Sequence, residues 1–149
     1  MADCLFCAIV AAEVPAQVVA SDRDTVAFLD VRPVFPGHCL LVPRHHHETL
    51  ADLPGPLVGP LFSAVQALSR AVVQGMGADG TFVALNNRVS QSVAHLHVHV
   101  VPRRRKDGLR GFFWPRQRYA SDEEMAEVAA RIRAAVPPEV NRPAAPPHR

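Results

Sequence analysis

The sequence lacks the features that mark membrane, secreted and disulfide-bonded proteins. No uninterrupted apolar run among its 149 residues approaches the roughly 20 residues that a helix needs to cross a bilayer. The first residues, MADCLFCAIVAAE, have no basic segment ahead of their apolar stretch, which is unlike a secretory signal peptide. Three cysteines cannot form a fully paired disulfide framework. We therefore expect a cytoplasmic protein that does not associate with membranes.

A strong net charge is also lacking. The formal net charge is +2 at pH 7, which is too small to indicate a nucleic-acid partner by itself. Lysine is nearly absent, because 15 of the 16 basic residues are arginine, and codon bias explains this excess as well as phosphate binding does. The densest basic run, PRRRKDGLR, is either a solvated rim or a substrate contact. We expect no nucleic-acid partner.

The length and composition fit one globular domain. The chain is 48% hydrophobic and 20% charged, and 149 residues are enough to bury an ordinary core. From Pro137 onward the sequence PPEVNRPAAPPHR is rich in proline and poor in apolar side chains. We expect a folded domain over residues 1–136 and a disordered tail over residues 137–149.

Hydrophobic periodicity predicts the secondary structure. Between residues 57 and 75, apolar side chains recur at three- and four-residue steps, which predicts an amphipathic core helix. A second helix, SDEEMAEVAARIRAAV, begins with a capping box formed by Ser121 and Glu124. Strands are predicted at residues 17–21 and 25–29, in HCLLVP, in TFVALN and in SVAHLHVHVVP. This order predicts an α+β fold with a mainly antiparallel sheet and two main helices.

The stretch VAHLHVHVVPR places His95, His97 and His99 at alternate positions. Successive side chains of a strand point to opposite faces, so the three imidazoles share one face. The first explanation is a half-exposed strand that carries histidines by chance. A second is a metal site, but three such residues extend over roughly 13 Å of strand, too far to meet at one zinc ion.

A third explanation is phosphoryl or nucleotidyl transfer. One imidazole then attacks phosphorus while its neighbours hold phosphate oxygens or the leaving group. His38 follows the loop FPG and can reach the same phosphate, and Gln91 and Ser92 supply hydrogen-bond donors just before the strand. This explanation uses the most residues, and we favour it.

These residues resemble the histidine triad (HIT) superfamily. Its signature is His-x-His-x-His-x-x with apolar residues at x, and HLHVHVV matches it at every position. The segments AFLDVRPVFPGH, GHCLLVPRHH and SQSVAHLHVHVVPR extend the resemblance over approximately residues 4–119. The opening Cys-x-x-Cys and the closing Pro-Arg are similar to the bacterial branch, between Hint-like phosphoramidases and Fhit-like dinucleoside polyphosphate hydrolases. The resemblance implies the HIT-like fold and a homodimer.

The resemblance also implies catalytic roles. His97 is the nucleophile that attacks the α-phosphorus of a nucleotide conjugate and forms a nucleotidyl-histidine intermediate. His99 contacts the phosphate and helps to protonate the leaving group, and His38 orients the catalytic set. No catalytic metal is required.

Substrate-binding residues follow from the same resemblance. Gln91 and Ser92 match positions that hold phosphate and bridging oxygens. Asp30 matches a carboxylate that binds the ribose hydroxyls, and Asn86 lies near an asparagine on the phosphate and ribose side. The linker NNRVSQSV is shorter than in many relatives and lacks their glycines.

A structural zinc site is implied in bacterial relatives that begin with Cys-x-x-Cys. The matching ligands here are Cys4, Cys7, His46 and His95, a Cys₂His₂ set. With zinc bound, His95 is structural and the working triad is the other three histidines. Without it, the cysteines are a reduced pair beside a solvated histidine cluster.

The leading functional hypothesis is a homodimeric HIT enzyme, a nucleotide hydrolase or transferase that attacks the α-phosphate of nucleoside phosphoramidates or related nucleotide conjugates. One alternative is a dinucleoside polyphosphate (Ap4A-type) hydrolase. Another is a non-catalytic nucleotide-binding zinc protein.

Overall fold

A computed structural model describes residues 4–109 and 118–135. They belong to two compact units that divide after Leu109, and each unit is described by itself. The first contains the sheet, two helices and both candidate sites. The second contributes one helix, α3, at Asp122–Ala135, where the sequence predicts it. The predicted disordered tail at residues 137–149 lies outside the described residues.

Five antiparallel strands form one sheet in the first unit. The strands are β1 (Val18–Ser21), β2 (Thr25–Leu29), β3 (Cys39–Pro43), β4 (Gly80–Ala84) and β5 (Val98–Arg103), in the order β1-β2-β3-β5-β4. Every neighbouring pair runs antiparallel. The predicted α+β fold with an antiparallel sheet is therefore confirmed.

Two helices of very different length accompany the sheet. The short helix α1 spans Leu5–Val10, and the long helix α2 spans Gly55–Met76, close to the predicted boundaries. A proline at the helix start has the fixed φ that a first turn needs, and α2 ends at Gly77 with φ of 56°. A short 3-10 helix, Leu50–Asp52, was not predicted.

The sheet has apolar side chains on both faces. On one face, α2 packs against β3, β4 and β5, and its buried residues Leu61, Val65, Leu68 and Val72 meet Leu41 of β3. The other face carries a smaller cluster around α1, formed by Phe6, Val26, Phe28, Leu40 and Val42. The histidines lie on this α1 side, because Leu40 is the register partner of His99.

Strand β5 begins later than the sequence predicts. The predicted strand includes His95 and His97, whereas the ladder starts at Val98. The backbone before it bonds elsewhere, since the N–H of Leu96 donates to the carbonyl of His47. Alternation nevertheless continues, because Leu96 is buried with the α2 core.

Helix α2 is long and apolar enough to cross a membrane by length and composition alone. That finding is weak, because the core helix of a globular protein passes the same test. Here the buried stripe of α2 packs on the sheet.

Candidate active site and metal centre

Strand ends bring three of the predicted site residues together. Asp30 directly follows β2 and His38 directly precedes β3, and the N–H of Asp30 donates to the carbonyl of His38 at 2.9 Å. His99 lies on β5, the next strand of the sheet. Candidate ligand atoms of these three side chains lie within 4.8 Å of one another. The structure therefore brings these three candidate residues together.

The turn before His38 depends on a close approach between backbone and helix end. Gly37 has φ of +94°, a left-handed conformation that favours glycine. A Cβ at this position would lie 2.7 Å from Cγ of Met76, the last residue of α2. Glycine is therefore required for two reasons, backbone conformation and space.

Backbone groups determine which nitrogens of His38 and His99 carry protons. The N–H of Val34 donates to Nδ1 of His38 at 3.1 Å, so the proton of the neutral His38 ring is on Nε2. That Nε2 lies 2.9 Å from Nδ1 of His99 and donates to it. The remaining proton of His99 is then on Nε2. The pair presents one N–H donor, on His99.

The nucleophile candidate has the opposite arrangement. Nδ1 of His97 donates to the carbonyl of His95 at 2.7 Å, which leaves Nε2 unprotonated. The ring is buried, and its centroid lies 5.0 Å from that of His99. A lone pair on His97 therefore lies beside a ring that carries an N–H. This pairing suits nucleophilic attack with assistance to the leaving group.

Burial keeps this histidine pair neutral. Loss of hydration lowers the pKa of His38, and it lowers the pKa of His99 to about 4 with a further contribution from the neighbouring imidazoles. The Asp30 carboxylate opposes the shift at both rings. Asp30 lies 3.7 Å from Nδ1 of His38, but that nitrogen accepts the Val34 N–H, so we treat the contact as polar rather than as an ion pair.

The remaining predicted binding residues lie on the loop before the histidines. Both polar atoms of the Gln91 side chain bond to backbone, since its Oε1 accepts from the N–H of Arg88 and its Nε2 donates to the carbonyl of Glu48, both at 2.6 Å. Asn86 donates to the carbonyl of Ser90. These residues brace the loop, and no described hydrogen bond joins them to the imidazoles. Ser92 is exposed and lines an open cavity of about 590 Å³.

The loop holds two strained residues. Arg88 and Ser90 both have positive φ, at 67° and 60°. Left-handed backbone costs a non-glycine residue roughly 1–2 kcal/mol. The Gln91 hydrogen bonds offset part of this cost, so its carboxamide is a loop clamp in this structure.

The second predicted cluster is also assembled. Candidate ligand atoms of Cys4, Cys7, His46 and His95 all lie within 4.8 Å of one another. Sγ of Cys7 lies 3.4 Å from Nδ1 of His46 and 3.5 Å from Nδ1 of His95. A tetrahedral zinc ion with ordinary bond lengths holds sulfur and nitrogen ligands about 3.6 Å apart. The donor set and its spacing therefore fit zinc.

His95 is oriented as metal-binding histidines are. Its Nε2 donates to the carbonyl of Pro43 at 2.9 Å, which leaves Nδ1 unprotonated and facing the two thiols. Such a hydrogen bond from the second nitrogen fixes the tautomer and the ring orientation of a ligand. The ring is completely buried.

Part of the basic run is used by the fold. Arg103 makes two hydrogen bonds to the carboxylate of Asp107 at 2.6 and 3.0 Å. Arg104 donates to the carbonyl of Gly77, just past the end of α2. Arg104 is nevertheless exposed, as a solvated rim would be, and Arg103 is partly buried.

Sequence reasoning missed three of the groups that orient the imidazoles. Two are backbone groups, the N–H of Val34 and the carbonyl of Pro43, and backbone groups leave no residue-type signal. The third is Phe6, whose ring contacts two histidines. Its position between the two cysteines was the available signal.

The antiparallel sheet and the buried, ordered imidazoles define a histidine triad protein. A family model described as the HIT domain matches residues 11–106, and the chain belongs to the HIT family. The resemblance noted in the sequence is thereby confirmed.

Individual relatives agree with this assignment. The chain is 34% identical over 109 residues to the adenylylsulfatase HINT3 of Arabidopsis thaliana, covering 72% of this chain and 55% of that protein. A crystal structure of a HIT family member from Bacillus subtilis superposes with a TM-score of 0.82 at 30% identity, over 91% of this chain and 98% of that one. A zinc-bound histidine triad family protein from Mycobacterium smegmatis has a TM-score of 0.70 at 33% identity, over 91% and 99%.

The lowered histidine pKa values predict acid sensitivity. The unfolded chain has the ordinary imidazole pKa of 6.5, so on acidification it takes up protons before His38 and His99 do in the folded state. Their contribution to stability is present above pH 6.5 and is lost as the pH falls towards about 4. Urea unfolding at about pH 7.5 and about pH 5 measures this loss. His99→Gln should show a smaller loss, and an equal loss in both proteins would contradict the assignment.

Proposed function

We propose that this protein is a cytoplasmic nucleotide hydrolase or transferase that attacks the α-phosphate of nucleoside phosphoramidates or related conjugates. The observation that carries the proposal is the protonation pattern of the triad. His97 has its Nε2 lone pair free, and His99 has its Nε2 proton free. A phosphate bound between the two rings would contact the nucleophilic Nε2 of His97 and the hydrogen-bond donor Nε2–H of His99.

The chemistry proceeds in two displacements at phosphorus. Nε2 of His97 forms a bond to the α-phosphorus while the bond to the leaving nitrogen breaks. The leaving nitrogen takes a proton from a water molecule held by the Nε2–H of His99, so that it departs as the neutral amine. The hydroxide that remains attacks the nucleotidyl-histidine, forms the new P–O bond as the bond from phosphorus to His97 breaks, and releases the nucleotide. A covalent intermediate divides one difficult step into two easier ones.

Other residues of the site bind and position the substrate. One oxygen of Asp30 accepts the N–H of Arg32 at 2.8 Å, which fixes the carboxylate at the edge of the site. We assign its second oxygen to the ribose hydroxyls, and we assign Ser92 and Asn86 to the phosphate and ribose side. Gln91 acts here by clamping the loop.

Replacement of the nucleophile tests the proposal. His97→Ala should lower AMP release from adenosine 5′-phosphoramidate at least about a thousandfold, because no other group forms the covalent bond. The assay contains no added metal. His45→Ala is the matched control, because His45 is exposed and belongs to neither cluster. Activity that survives in His97→Ala would refute the mechanism.

The same assay separates the alternatives. Diadenosine tetraphosphate and adenosine 5′-phosphosulfate are run beside the phosphoramidate, the second because one relative is named an adenylylsulfatase. Cleavage of the tetraphosphate alone would favour the dinucleoside polyphosphate hydrolase. AMP binding with no turnover of any compound would favour the non-catalytic protein.

We further propose a structural zinc ion at Cys4, Cys7, His46 and His95. The fit of the donor set and the bond from His95 to Pro43 support it, as does the zinc-bound relative. Bound zinc would join α1 to the His46 turn and to the segment before β5. No chemical step uses it.

Zinc content tests this site. The purified chain should bind about one zinc ion, and Cys7→Ser should lose it because one thiolate ligand is removed. Cys39→Ser is the control, since Cys39 is buried elsewhere and its thiol donates to the carbonyl of Gly37. Metal analysis by mass spectrometry measures both. Equal zinc in all three proteins would rule out this ligand set.

We also propose the homodimer, formed at the β4 edge of the sheet. Strand β4 is an edge strand, and Val83 on it is 41% exposed. Phe62 and Val58 of α2 are also exposed, although both are apolar. Pairing of β4 with a second copy would continue the sheet and cover these side chains.

A charged substitution on each edge tests the dimer. Val83→Lys should convert the dimer to a monomer, because it places a charge in the contact. Val19→Lys is the matched control, since Val19 is 48% exposed on β1 at the opposite edge. Light scattering after size exclusion gives the mass. A wild-type monomer, or a dimer that persists in Val83→Lys, would exclude this interface.

A further inference from the structure

Phe6 lies between the two cysteines in sequence and against the nucleophile in space. Its ring meets that of His97 edge-on, with centroids 5.2 Å apart and an interplanar angle of 81°. It also meets the ring of His95, with centroids 6.0 Å apart. Phe6 is 5% exposed and is the one buried residue of α1. One aromatic ring therefore contacts both the nucleophile and a metal ligand.

Helix α1 depends on tertiary contacts for its position. It has only six residues, and isolated helices of that length are not stable in water. Its N-cap, Cys4, makes no side-chain capping hydrogen bond. The contacts that hold α1 are the two thiols at the metal site and apolar packing, in which Phe6 is buried and Ile9 and Val10 lie against the same cluster. The position of the thiols therefore contributes to the position of the Phe6 ring.

The hydrogen bond that orients the nucleophile is made to a carbonyl outside the sheet. His97 is held by one hydrogen bond to the carbonyl of His95, two residues before it. Strand β5 starts only at Val98, so ladder hydrogen bonds do not fix this carbonyl. The peptide unit that carries it is held by the Leu96 N–H, which donates to the carbonyl of His47, and by the His95 ring, which bonds to Pro43 through Nε2 and faces the thiols through Nδ1.

The orientation of the His97 ring decides whether it can react. A half-turn about the Cβ–Cγ bond would move Nε2 away from the substrate and break the bond to His95. One hydrogen bond opposes that rotation, and edge-on packing against a fixed aromatic ring opposes it further. A small displacement of reacting atoms costs on the order of a hundredfold in rate.

We infer that Phe6 is a positioning residue for His97 and that the Cys4–Cys7 site holds it in place. The inference rests on the proposed nucleophile and the proposed zinc site. It assigns the metal site a role in orienting the catalytic ring, through Phe6 on one side and the His95 carbonyl on the other.

A pair of matched variants tests the role of Phe6. Phe28 belongs to the same cluster, is equally buried, and packs edge-on against Phe6 with centroids 5.4 Å apart. No ring contact between Phe28 and a histidine occurs among the described residues. Phe6→Leu and Phe28→Leu should therefore lower the melting temperature similarly. Only Phe6→Leu should lower kcat, about tenfold or more, with KM changed less than about twofold.

A spectroscopic readout distinguishes this inference from the proposed function. Nitrogen-15 chemical shifts of the His97 ring report whether the proton is on Nδ1 or Nε2. Wild type should show the Nδ1-protonated form alone. Phe6→Leu and zinc-depleted wild type should both show a mixture, whereas Phe28→Leu should match wild type. This readout requires no substrate, so it holds if the assumed reaction is wrong.

Several outcomes would overturn the inference. Equal loss of kcat in Phe6→Leu and Phe28→Leu would show that Phe6 is only a core residue. An unchanged His97 spectrum in Phe6→Leu would do the same. An unchanged spectrum after zinc removal would disconnect the metal site from the nucleophile. If Phe6→Leu does not fold, Phe6→Met replaces it, and its spectrum is judged by the same criterion.

Discussion

The site depends on the hydrogen bond from Nδ1 of His97 to the carbonyl of His95. Without it, the attacking nitrogen has no fixed protonation state and the ring has no fixed direction. The bond joins residues only two apart, but it requires a carbonyl that the sheet does not hold. The residues of α1 and of the His46 turn surround His95 and so help to position that carbonyl. The ligand His95 and the nucleophile His97 are thus parts of one local unit.

Fixed backbone groups control the protonation of the triad. The Val34 N–H determines the tautomer of His38, and the His38 ring then determines that of His99. Buried side-chain charges would have required desolvation, which is costly. Backbone groups are neutral and are positioned by the fold itself. The result is an Nε2 lone pair on His97 beside an Nε2–H on His99.

The sequence predicts the side-chain content of both sites better than their geometry. Alternation of histidines with apolar residues places His99 correctly, because period-2 burial is a local property. The early start predicted for β5 was wrong, because the carbonyl of His47 competes for the backbone N–H of Leu96. Gln91 has its side chain committed to backbone, which residue type cannot reveal. Such backbone hydrogen-bond partners are determined by the tertiary structure.

The close approach of Gly37 to Met76 has a genetic consequence. Two separate features disfavour a side chain at residue 37, the left-handed backbone and the close approach of Met76 at the end of α2. A shorter side chain at residue 76 would remove the steric contact and leave the left-handed backbone unchanged. A single compensating change at residue 76 would therefore recover only part of the stability lost on substitution of Gly37. Substitutions at residue 37 are thus expected to cost stability whichever residue occupies position 76.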